Sequence, residues 1–315
     1  MKIIDMINKG NKFFSIEVSP PPKNKSIFPI FKTIELFMPY NPAYVSITYH
    51  PLKITHIEVD GMESDYIQKK HVNPLGLCAA VKYKYNLEVV PHFVCAGMNK
   101  VQVEEALIDF SFLGIENVLA LRGDPAIANE QFKPIDGGYN YAYELVKQIY
   151  EMRKPLFMNK VDDYQSINLC IGVAGYPEKH IDAKSIESDI DNLKKKIDAG
   201  ADYIITQMCF NVNVFIEWVN ILRKKGINVP IIPGIKPLTS INQLIILRDK
   251  YKIIIQNDLN KLIMSANSKE DSYKKGIEHC VKMCNDLLDT VSNGIHFFTM
   301  GLGKDIEDVI KIIYK

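Results

Sequence analysis

What the sequence lacks limits the class of protein first. It has no run of apolar residues near the ~20 that cross a bilayer. Its first eleven residues mix Lys and Asp with isolated apolar residues, instead of forming the continuous apolar core of a signal peptide. We therefore predict a soluble, cytoplasmic protein.

Paired cysteines and an excess of one charge are missing as well. The six cysteines are scattered and include no C-x-x-C pair: Cys78, Cys95, Cys170, Cys209, Cys280 and Cys284. That spacing argues against a metal site or a disulfide framework and favours buried free thiols. The 38 Lys and Arg residues nearly balance 37 Asp and Glu residues, giving a formal charge of +1. Nucleic acid and anionic membranes are therefore not expected partners.

What is present is the pattern of an α/β protein. Eight short apolar and β-branched runs are predicted as strands: 13–18, 43–49, 88–94, 117–121, 168–174, 203–209, 229–235 and 294–299. Helical spacing of apolar residues predicts helices over 102–113, 185–199, 273–291 and 305–314. Because the strand runs are continuously apolar, they are typical of parallel strands covered on both faces.

Eight strands followed by helices predict a (β/α)8 TIM barrel. With 315 residues and 47% hydrophobic content, the chain has the size of one such barrel, so we predict a single domain over residues 1–315. An open doubly wound sheet is the alternative, but it needs a glycine-rich first turn, and three prolines at 20–22 follow the first run instead. The segments 125–138 and 152–166 are predicted to be long loops within that domain.

Polar side chains fall where the predicted strands end. In TIM barrels the C-terminal ends of the strands carry the catalytic residues. Residues at such positions are Glu17, Thr48, Tyr49, His50, His92, Arg122, Asp124, Tyr176, Glu178, Thr206, Gln207 and Thr299. Their convergence on one rim predicts an active site there.

Several candidates also have a purely structural interpretation. Glu17 lies in an apolar strand before the proline run, which favours a functional role over a solvent-facing position. His92 is as consistent with a hydrogen-bonded core histidine as with a ligand contact. Arg122 and Asp124 either pair with each other or flank a glycine, Gly123, that lets a ligand approach the backbone closely.

Three other patterns have weaker or ordinary explanations. The tripeptide 122–124 (RGD) also occurs in integrin ligands, but a lone match has little specificity. The segment 301–304 (GLGK) does not meet the phosphate-loop pattern and is interpreted as a turn into the last helix. Asp189, Asn192 and Lys196 share one flank of a predicted helix, which is normally a solvated edge.

Taken together, these segments resemble methylenetetrahydrofolate reductase, a family of flavoenzymes that reduce methylenetetrahydrofolate to methyltetrahydrofolate. The matching stretches follow one another in the family's order: 15–21 (SIEVSPP), 45–49 (VSITY), 91–93 (PHF), 120–124 (ALRGD), 173–180 (VAGYPEKH), 189–196, 199–207 (AGADYIITQ) and 233–237 (PGIKP). No single stretch is decisive, but the ordered set is highly specific and spans almost the whole chain.

The resemblance implies a TIM barrel that holds FAD at its C-terminal rim and takes hydride from NADH or NADPH. It places FAD contacts at Thr48, Tyr49, His92, Arg122, Gly123, Asp124, Tyr141, Ala142, Tyr176, His180, Asp189, Asn192 and Lys196. The flank of the helix at 189–196 would then be functional rather than a solvated edge.

The resemblance also implies roles in the reaction. Glu17 matches the general acid that helps to open the five-membered ring of the folate, and Asp124 matches the carboxylate beside the flavin. Gln207 and Gln243 match positions that hold the folate, and Gln207 also touches the nicotinamide. For Glu17 we expect burial against Phe14, Val18 and a ligand ring to favour the protonated acid. The product would supply methyl groups for methionine synthesis.

Two departures from the family pattern bear on the substrate. Gly301 and Leu302 stand where some relatives have an Asn-Arg pair whose Arg helps to hold the folate tail. Leu247 takes the place of a phenylalanine that stacks on the substrates in some relatives. The resemblance further implies a homo-oligomer, a dimer or tetramer, without a regulatory C-terminal domain. The alternatives are another flavin-dependent TIM-barrel oxidoreductase with a non-folate substrate, and a non-catalytic binding protein.

Overall fold

The strands of the protein form a closed barrel and one separate hairpin. The computed structural model describes residues 1–59, 62–127, 130–154, 157–158 and 166–314. Its strands are β1 (Phe13–Val18), β2 (Tyr44–Ile47), β3 (Lys53–Val59), β4 (Met62–Gln68), β5 (Glu88–Val94), β6 (Asn117–Leu121), β7 (Cys170–Gly175), β8 (Tyr203–Met208), β9 (Ile231–Ile235) and β10 (Gly294–Phe298). The barrel closes in the order β1-β10-β9-β8-β7-β6-β5-β2, and all its neighbouring strands are parallel.

Helices connect the barrel strands in the way the sequence predicts. They are α1 (Ile3–Asn8), α2 (Phe28–Phe37), α3 (Pro74–Tyr85), α4 (Lys100–Phe112), α5 (Ala142–Glu151), α6 (Ile186–Asp198), α7 (Val212–Lys224), α8 (Ile241–Asp249), α9 (Asn257–Met264), α10 (Lys269–Thr290) and α11 (Lys304–Ile313). The predicted (β/α)8 barrel is therefore confirmed. In the described ranges, no helix combines the length and the apolar composition that crossing a membrane requires.

Alternation along the strands separates two apolar cores. In β1, Phe14 and Ile16 belong to the large core between the strands and the surrounding helices. Phe13 belongs to a smaller core with Tyr44 and Tyr203, which Ile3 of α1 joins. Successive strand side chains point to opposite faces, so Ser15 and Glu17 share the face of Phe13. The barrel interior is thus apolar near the start of β1 and polar towards its end, where the rim begins.

The sequence prediction missed the hairpin of β3 and β4. Its strands are antiparallel, and the amide of Ile54 donates to the carbonyl of Ala126 at 2.8 Å. The hairpin therefore lies against the loop that follows β6. Its available signal was Asp60-Gly61 between two segments rich in alternating residues, since that dipeptide favours two-residue hairpin turns.

Candidate active site

A cavity of about 320 Å³ opens where β6 and β7 end, beside the first turn of α5 and one face of α6. Ten of the thirteen residues predicted to contact FAD line it: Arg122, Gly123, Asp124, Tyr141, Ala142, Tyr176, His180, Asp189, Asn192 and Lys196. They come from four separate segments of the chain, so only the barrel brings them together. Thr48, Tyr49 and His92 are not part of its lining.

Helix α6 supplies one wall of this cavity. It begins after Ser185, whose hydroxyl accepts from the amide of Ser188 at 3.2 Å. Asp189, Asn192 and Lys196 follow at helical spacing and all face the cavity. The shared flank predicted from the sequence is therefore confirmed, but it faces a cleft rather than open solvent.

Two cations line the cavity, and each has a partner within the protein. Lys196 Nζ donates to the carbonyl of Ala174 at 2.9 Å, and the Arg122 guanidinium donates to Asp182 at 2.8 Å. Burial and, to a smaller extent, the charge of Arg122 lower the pKa of Lys196 to about 8, although the charge of Asp189 raises it. Burial destabilises the charged form of Lys196, and a bound anion would stabilise it. This wall of the cavity therefore suits a phosphate group.

Aromatic rings form the other walls. Tyr141 stacks on Tyr143 with ring centroids 5.5 Å apart, and Tyr176 meets His180 edge to face at 4.6 Å. Tyr141 is 50% exposed, so part of its ring is free to pack against a flat group. Tyr143 and Asp182 are lining residues that the sequence analysis did not identify, because neither lies within a matching stretch or at a strand end.

Arg122 and Asp124 do not pair with each other, so one structural alternative was wrong. Arg122 pairs with Asp182, whereas Asp124 lies 3.9 Å from Lys53 Nζ of the hairpin. Gly123 itself lines the cavity, so the close approach of a ligand to its backbone stays a prediction. Its φ is +90°, and a Cβ there would lie 2.3 Å from Val94, so packing on β5 and backbone conformation require the glycine.

A second group of polar residues surrounds Glu17 in the barrel interior. Glu17 Oε2 lies 3.2 Å from His92 Nε2 and 3.8 Å from His296 Nε2, and its side chain is 16% exposed. Ser46 donates its hydroxyl proton to the Val90 carbonyl at 3.2 Å and lies 3.1 Å from His92 Nε2. Because the Ser46 hydroxyl donates to Val90, its oxygen accepts a hydrogen bond from His92. His92 therefore carries a proton on Nε2, and the same N–H also points to Glu17.

In the free protein Glu17 is ionised, so the protonated acid expected beside a bound ligand stays a prediction. Burial does raise the pKa of the carboxyl, but the nearby imidazole of His296 and the hydrogen bond from His92 outweigh it and lower the pKa from 4.5 to about 2. The sequence analysis considered the apolar neighbours in β1 alone. His92 and His296 reach Glu17 from β5 and β10, which local sequence does not reveal. His92 is thus a hydrogen-bonded core histidine that also faces the site.

The remaining predicted residues have protein partners of their own. Thr48 donates to Ser19 at 2.9 Å, and Tyr49 lies beneath the amine of Lys69, 5.0 Å from the ring centroid. The side-chain oxygen of Gln207 accepts from the amide of Met208 at 2.9 Å. Gln207 also lines a small cleft of about 50 Å³ at the end of β8.

The region around α8 is closed by internal contacts. The Gln243 side chain accepts from the Thr239 amide at 2.8 Å and donates to Asp305 at 3.5 Å. Asp305 also pairs with Lys236, which is 5% exposed. Leu247 is 2% exposed and belongs to an apolar cluster with α9, so its side chain has no free face on which a substrate ring stacks.

The turn into the last helix is confirmed. Gly303 precedes α11 with a φ of +78°, and its Cβ, if present, would lie 2.8 Å from Phe37. Gly301 and Leu302 before it line a different cavity, of about 430 Å³, together with Glu17. Glu17 therefore lies at the margin of a cleft as well as in the barrel interior.

The family model and the curated relatives that match this chain carry the same family name. A family model described as methylenetetrahydrofolate reductase matches residues 2–313. "Methylenetetrahydrofolate reductase (NADH) 1" of Arabidopsis thaliana is 30% identical over 96% of this chain and 49% of its own length. "5,10-methylenetetrahydrofolate reductase" of Pectobacterium carotovorum is 28% identical over 93% of this chain and 87% of its own length.

The relatives differ in how much of their own length the chain matches. The chain spans about half the length of the plant relative, and 87% of the bacterial one. A solved structure of an uncharacterized Clostridium thermocellum protein, described as binding two copies of 5-methyl-5,6,7,8-tetrahydrofolic acid, has a TM-score of 0.62 over 98% of this chain and 96% of that chain. At 15% identity, that likeness supports the barrel fold alone.

Proposed function

The chain belongs to the methylenetetrahydrofolate reductase family, and we propose that it reduces 5,10-methylenetetrahydrofolate to 5-methyltetrahydrofolate. The proposed cofactor is FAD, reduced by NADH or NADPH before the folate takes the donor's place. One observation carries the proposal beyond family membership: the rim cavity gathers ten residues predicted from the family pattern. Supply of methyl groups for methionine synthesis follows from the proposed product.

The chemistry of the cavity fits a flavin dinucleotide. Lys196 and Arg122 supply positive charge for the pyrophosphate, and the rings of Tyr141 and Tyr176 supply flat apolar surfaces. The volume of about 320 Å³ is at the lower end of the range of ligand cavities, roughly 300–1,000 Å³. A whole dinucleotide would therefore need more space than this cavity alone provides.

The protein's own contribution to the chemistry is proton transfer and electrostatics, since FAD when bound supplies hydride transfer. The methyl group of the product stays on N5, so the bond that breaks in the substrate is the one to N10. N10 needs a proton as it leaves. We assign that proton to Glu17, the carboxylate at the rim that is shielded from solvent.

Substrate binding must therefore change the state of Glu17. In the free protein the hydrogen bond from His92 favours the ionised carboxylate. A bound folate excludes water from the carboxylate and presents a nitrogen that accepts a proton, and both effects favour the protonated acid. The two imidazoles next to Glu17 provide groups through which that proton arrives.

Asp124 has the opposite task of keeping its negative charge. It is 83% exposed in the free protein, where Lys53 lies 3.9 Å away. A fixed carboxylate beside a flavin disfavours the anionic reduced ring and stabilises a cationic iminium on the folate. Lys53 moderates that charge, so we propose that the hairpin of β3 and β4 tunes the site.

The first test is the visible spectrum of the purified protein before and after anaerobic addition of NADH or NADPH. A yellow protein that either nucleotide bleaches, and that methylenetetrahydrofolate then restores, is the expected result. A yellow protein that is bleached but not restored by folate would favour another flavin-dependent barrel oxidoreductase. A colourless protein that does not take up added FAD would overturn the proposal. Cytoplasmic location and homo-oligomerisation remain predictions from the sequence.

A further inference from the structure

A buried ion pair lies at the rim of the barrel and takes no part in the chemistry described so far. The amine of Lys236, directly after β9, pairs with the carboxylate of Asp305 in the first turn of α11. Their side chains are 5% and 10% exposed. Replacing a buried ion pair by apolar side chains is often neutral or stabilising, so stability alone does not account for this one.

Strand register places the pair near the proposed proton donor. Glu17 of β1 lies beside Phe298 of β10, and Ile235 of β9 lies beside Phe297. Lys236, one residue after Ile235, is therefore at the height of Phe298 and Glu17. Because neighbouring strands are about 4.8 Å apart, two spacings put its backbone on the order of 10 Å from that of Glu17.

The side-chain amide of Gln243, in the first turn of α8, is held between this pair and Thr239. Its Nε2 donates to Asp305 at 3.5 Å, and its Oε1 accepts from the Thr239 amide at 2.8 Å and the Thr239 hydroxyl at 3.0 Å. A backbone N–H can only donate, and an ionised carboxylate can only accept. Both ends of the amide therefore require the same orientation, with the oxygen towards Thr239 and the nitrogen towards Asp305.

That orientation leaves Gln243 one kind of contact to offer a ligand. Its oxygen already accepts two hydrogen bonds, and one of its two Nε2 protons is donated to Asp305. Within the ranges that the structure describes, Asp305 is the only acceptor that Nε2 contacts. Since the side chain is half-buried, its second N–H is available. Gln243 is thus a hydrogen-bond donor for an acceptor oxygen.

Lys236 balances the charge of this arrangement. A lone carboxylate 3.5 Å from the Gln243 nitrogen would repel the electron-rich oxygen of a ligand that approaches the same amide. The amine of Lys236 neutralises Asp305 and leaves its oxygens able to accept from Gln243. Both members of the pair therefore serve the donor role of the amide.

We propose that Lys236 and Asp305 are positioning residues, which hold the Gln243 amide in the orientation that donates to an acceptor oxygen of the folate. The inference rests on the proposed function, because the family pattern is what assigns Gln243 to the folate. The pair acts through Gln243 and needs no contact with the substrate. A purely structural pair would join β9 to α11 without any effect on folate affinity.

A cycle of substitutions in the folate reaction tests this proposal. Lys236→Met combined with Asp305→Leu removes the pair as a unit, so that neither charge is left buried alone. We expect the KM for methylenetetrahydrofolate to rise about fivefold, the usual loss of one hydrogen bond, while kcat and flavin reduction by the nicotinamide donor stay within about twofold. Gln243→Ala should have a similar effect, and all three substitutions together should raise the KM no further. Effects that multiply, or an unchanged KM in either variant, would overturn the inference.

Two further variants test the donor role and the specificity of the effect. Gln243→Glu keeps the size of the side chain but has no donor when ionised, so its KM should rise at least as far as that of Gln243→Ala. A wild-type KM in Gln243→Glu would contradict the donor role. Lys82→Met combined with Glu88→Leu removes a partly buried ion pair where β5 begins, at the opposite end of the barrel, and should leave the KM unchanged. An equal rise in that control would mean that the loss of any such pair has the same effect, against the proposal.

Binding without turnover separates this inference from the proposed function. Calorimetric titration of the FAD-loaded protein with 5-methyltetrahydrofolate should give the same cycle in Kd, with no added effect of the pair once Gln243 is Ala. A wild type that binds folate but does not reduce methylenetetrahydrofolate would contradict the proposed function, and the cycle in Kd would still decide the inference. A wild type that binds no folate would overturn both.

Discussion

Glu17 Oε2 accepts a hydrogen bond from His92 Nε2 at 3.2 Å, across the barrel from β5 to β1. His296 lies 3.8 Å from the same oxygen, and its Nδ1 is 2.8 Å from the Ser15 hydroxyl. The carboxylate at the rim is therefore held between two imidazoles, in a position fixed by three strands. That arrangement sets both the protonation of Glu17 and its orientation towards a ligand.

Glu17→Gln tests the role of this carboxylate as a proton donor. The amide keeps the size of the side chain but has no acidic proton, so we expect at least a 100-fold loss in the rate of flavin reoxidation by methylenetetrahydrofolate. Reduction by NADH, which needs no acid, should stay within about twofold of the wild type. Stopped-flow absorbance at the flavin band measures both half-reactions. Glu35→Gln, on the exposed surface of α2, is the matched control, and slow reduction by NADH in Glu17→Gln would contradict the role.

The low pKa of Glu17 predicts a specific dependence of stability on pH. The pKa is about 2 in the folded protein against 4.5 ordinarily, so ionised Glu17 stabilises the fold above pH 4.5 by about 3 kcal/mol at most. This contribution is lost as the pH falls from 4.5 towards 2, because the unfolded chain binds the proton first. Urea unfolding of the wild type and Glu17→Gln between pH 6 and pH 3 should show a difference that shrinks with acidity. A constant difference would mean that Glu17 is not held ionised.

Asp124 and Lys53 should shift the potential of a bound flavin in opposite directions. Asp124→Asn removes a negative charge and should raise the midpoint potential, whereas Lys53→Met removes the cation 3.9 Å from that carboxylate and should lower it. The shifts should be on the order of 20 mV, because about 1 kcal/mol of Coulomb energy in an exposed site corresponds to that much for two electrons. Spectroelectrochemical titration measures both. Shifts of the same sign would show that the charges do not act on the flavin.

Lys196 predicts how FAD affinity depends on pH. Its pKa of about 8 means that the amine is charged below pH 8 and loses its proton as the pH rises further. The affinity of the apoprotein for FAD should therefore be constant up to about pH 8 and fall above it, by at most tenfold per pH unit. Flavin fluorescence quenching between pH 6.5 and 9.5 measures this profile.

Two substitutions of Lys196 distinguish charge from packing. Lys196→Met should weaken FAD binding on the order of 10- to 100-fold at pH 7, the usual cost of losing a hydrogen bond to a charged group. Lys196→Arg should bind FAD with a flat pH profile, because the guanidinium stays protonated throughout. A falling profile in Lys196→Arg would assign the titration to a group other than Lys196.

The sequence predicted the barrel well because its strand signals are local. The runs at 13–18, 88–94 and 117–121 have the bounds of β1, β5 and β6, and the other five barrel strands differ by at most two residues at either end. Parallel strands buried on both faces need continuous apolar runs, and those runs are visible without any contact information. The hairpin of β3 and β4 was missed because its strands alternate and face solvent in part.

The order of motifs along the chain also predicted most of the candidate site. Residues after β6 and β7 and on α6 converge on one cavity, since parallel strands of a barrel direct their C-terminal ends to one rim. Pairings between those residues were not predictable. Arg122 pairs with Asp182, and Asp124 lies near Lys53. The partner of a charged side chain depends on the path of the loops, which no local sequence pattern specifies.

By itself, then, the sequence determined the strands, the helices and the family, because apolar periodicity and motif order are properties of the chain alone. Tertiary structure decided the protonation state of Glu17, the closure around Leu247 and the existence of the 430 Å³ cavity beside Glu17. Each of these depends on side chains that are far apart in sequence and within a few ångströms in space. Their electrostatic and packing energies arise only when the barrel has closed.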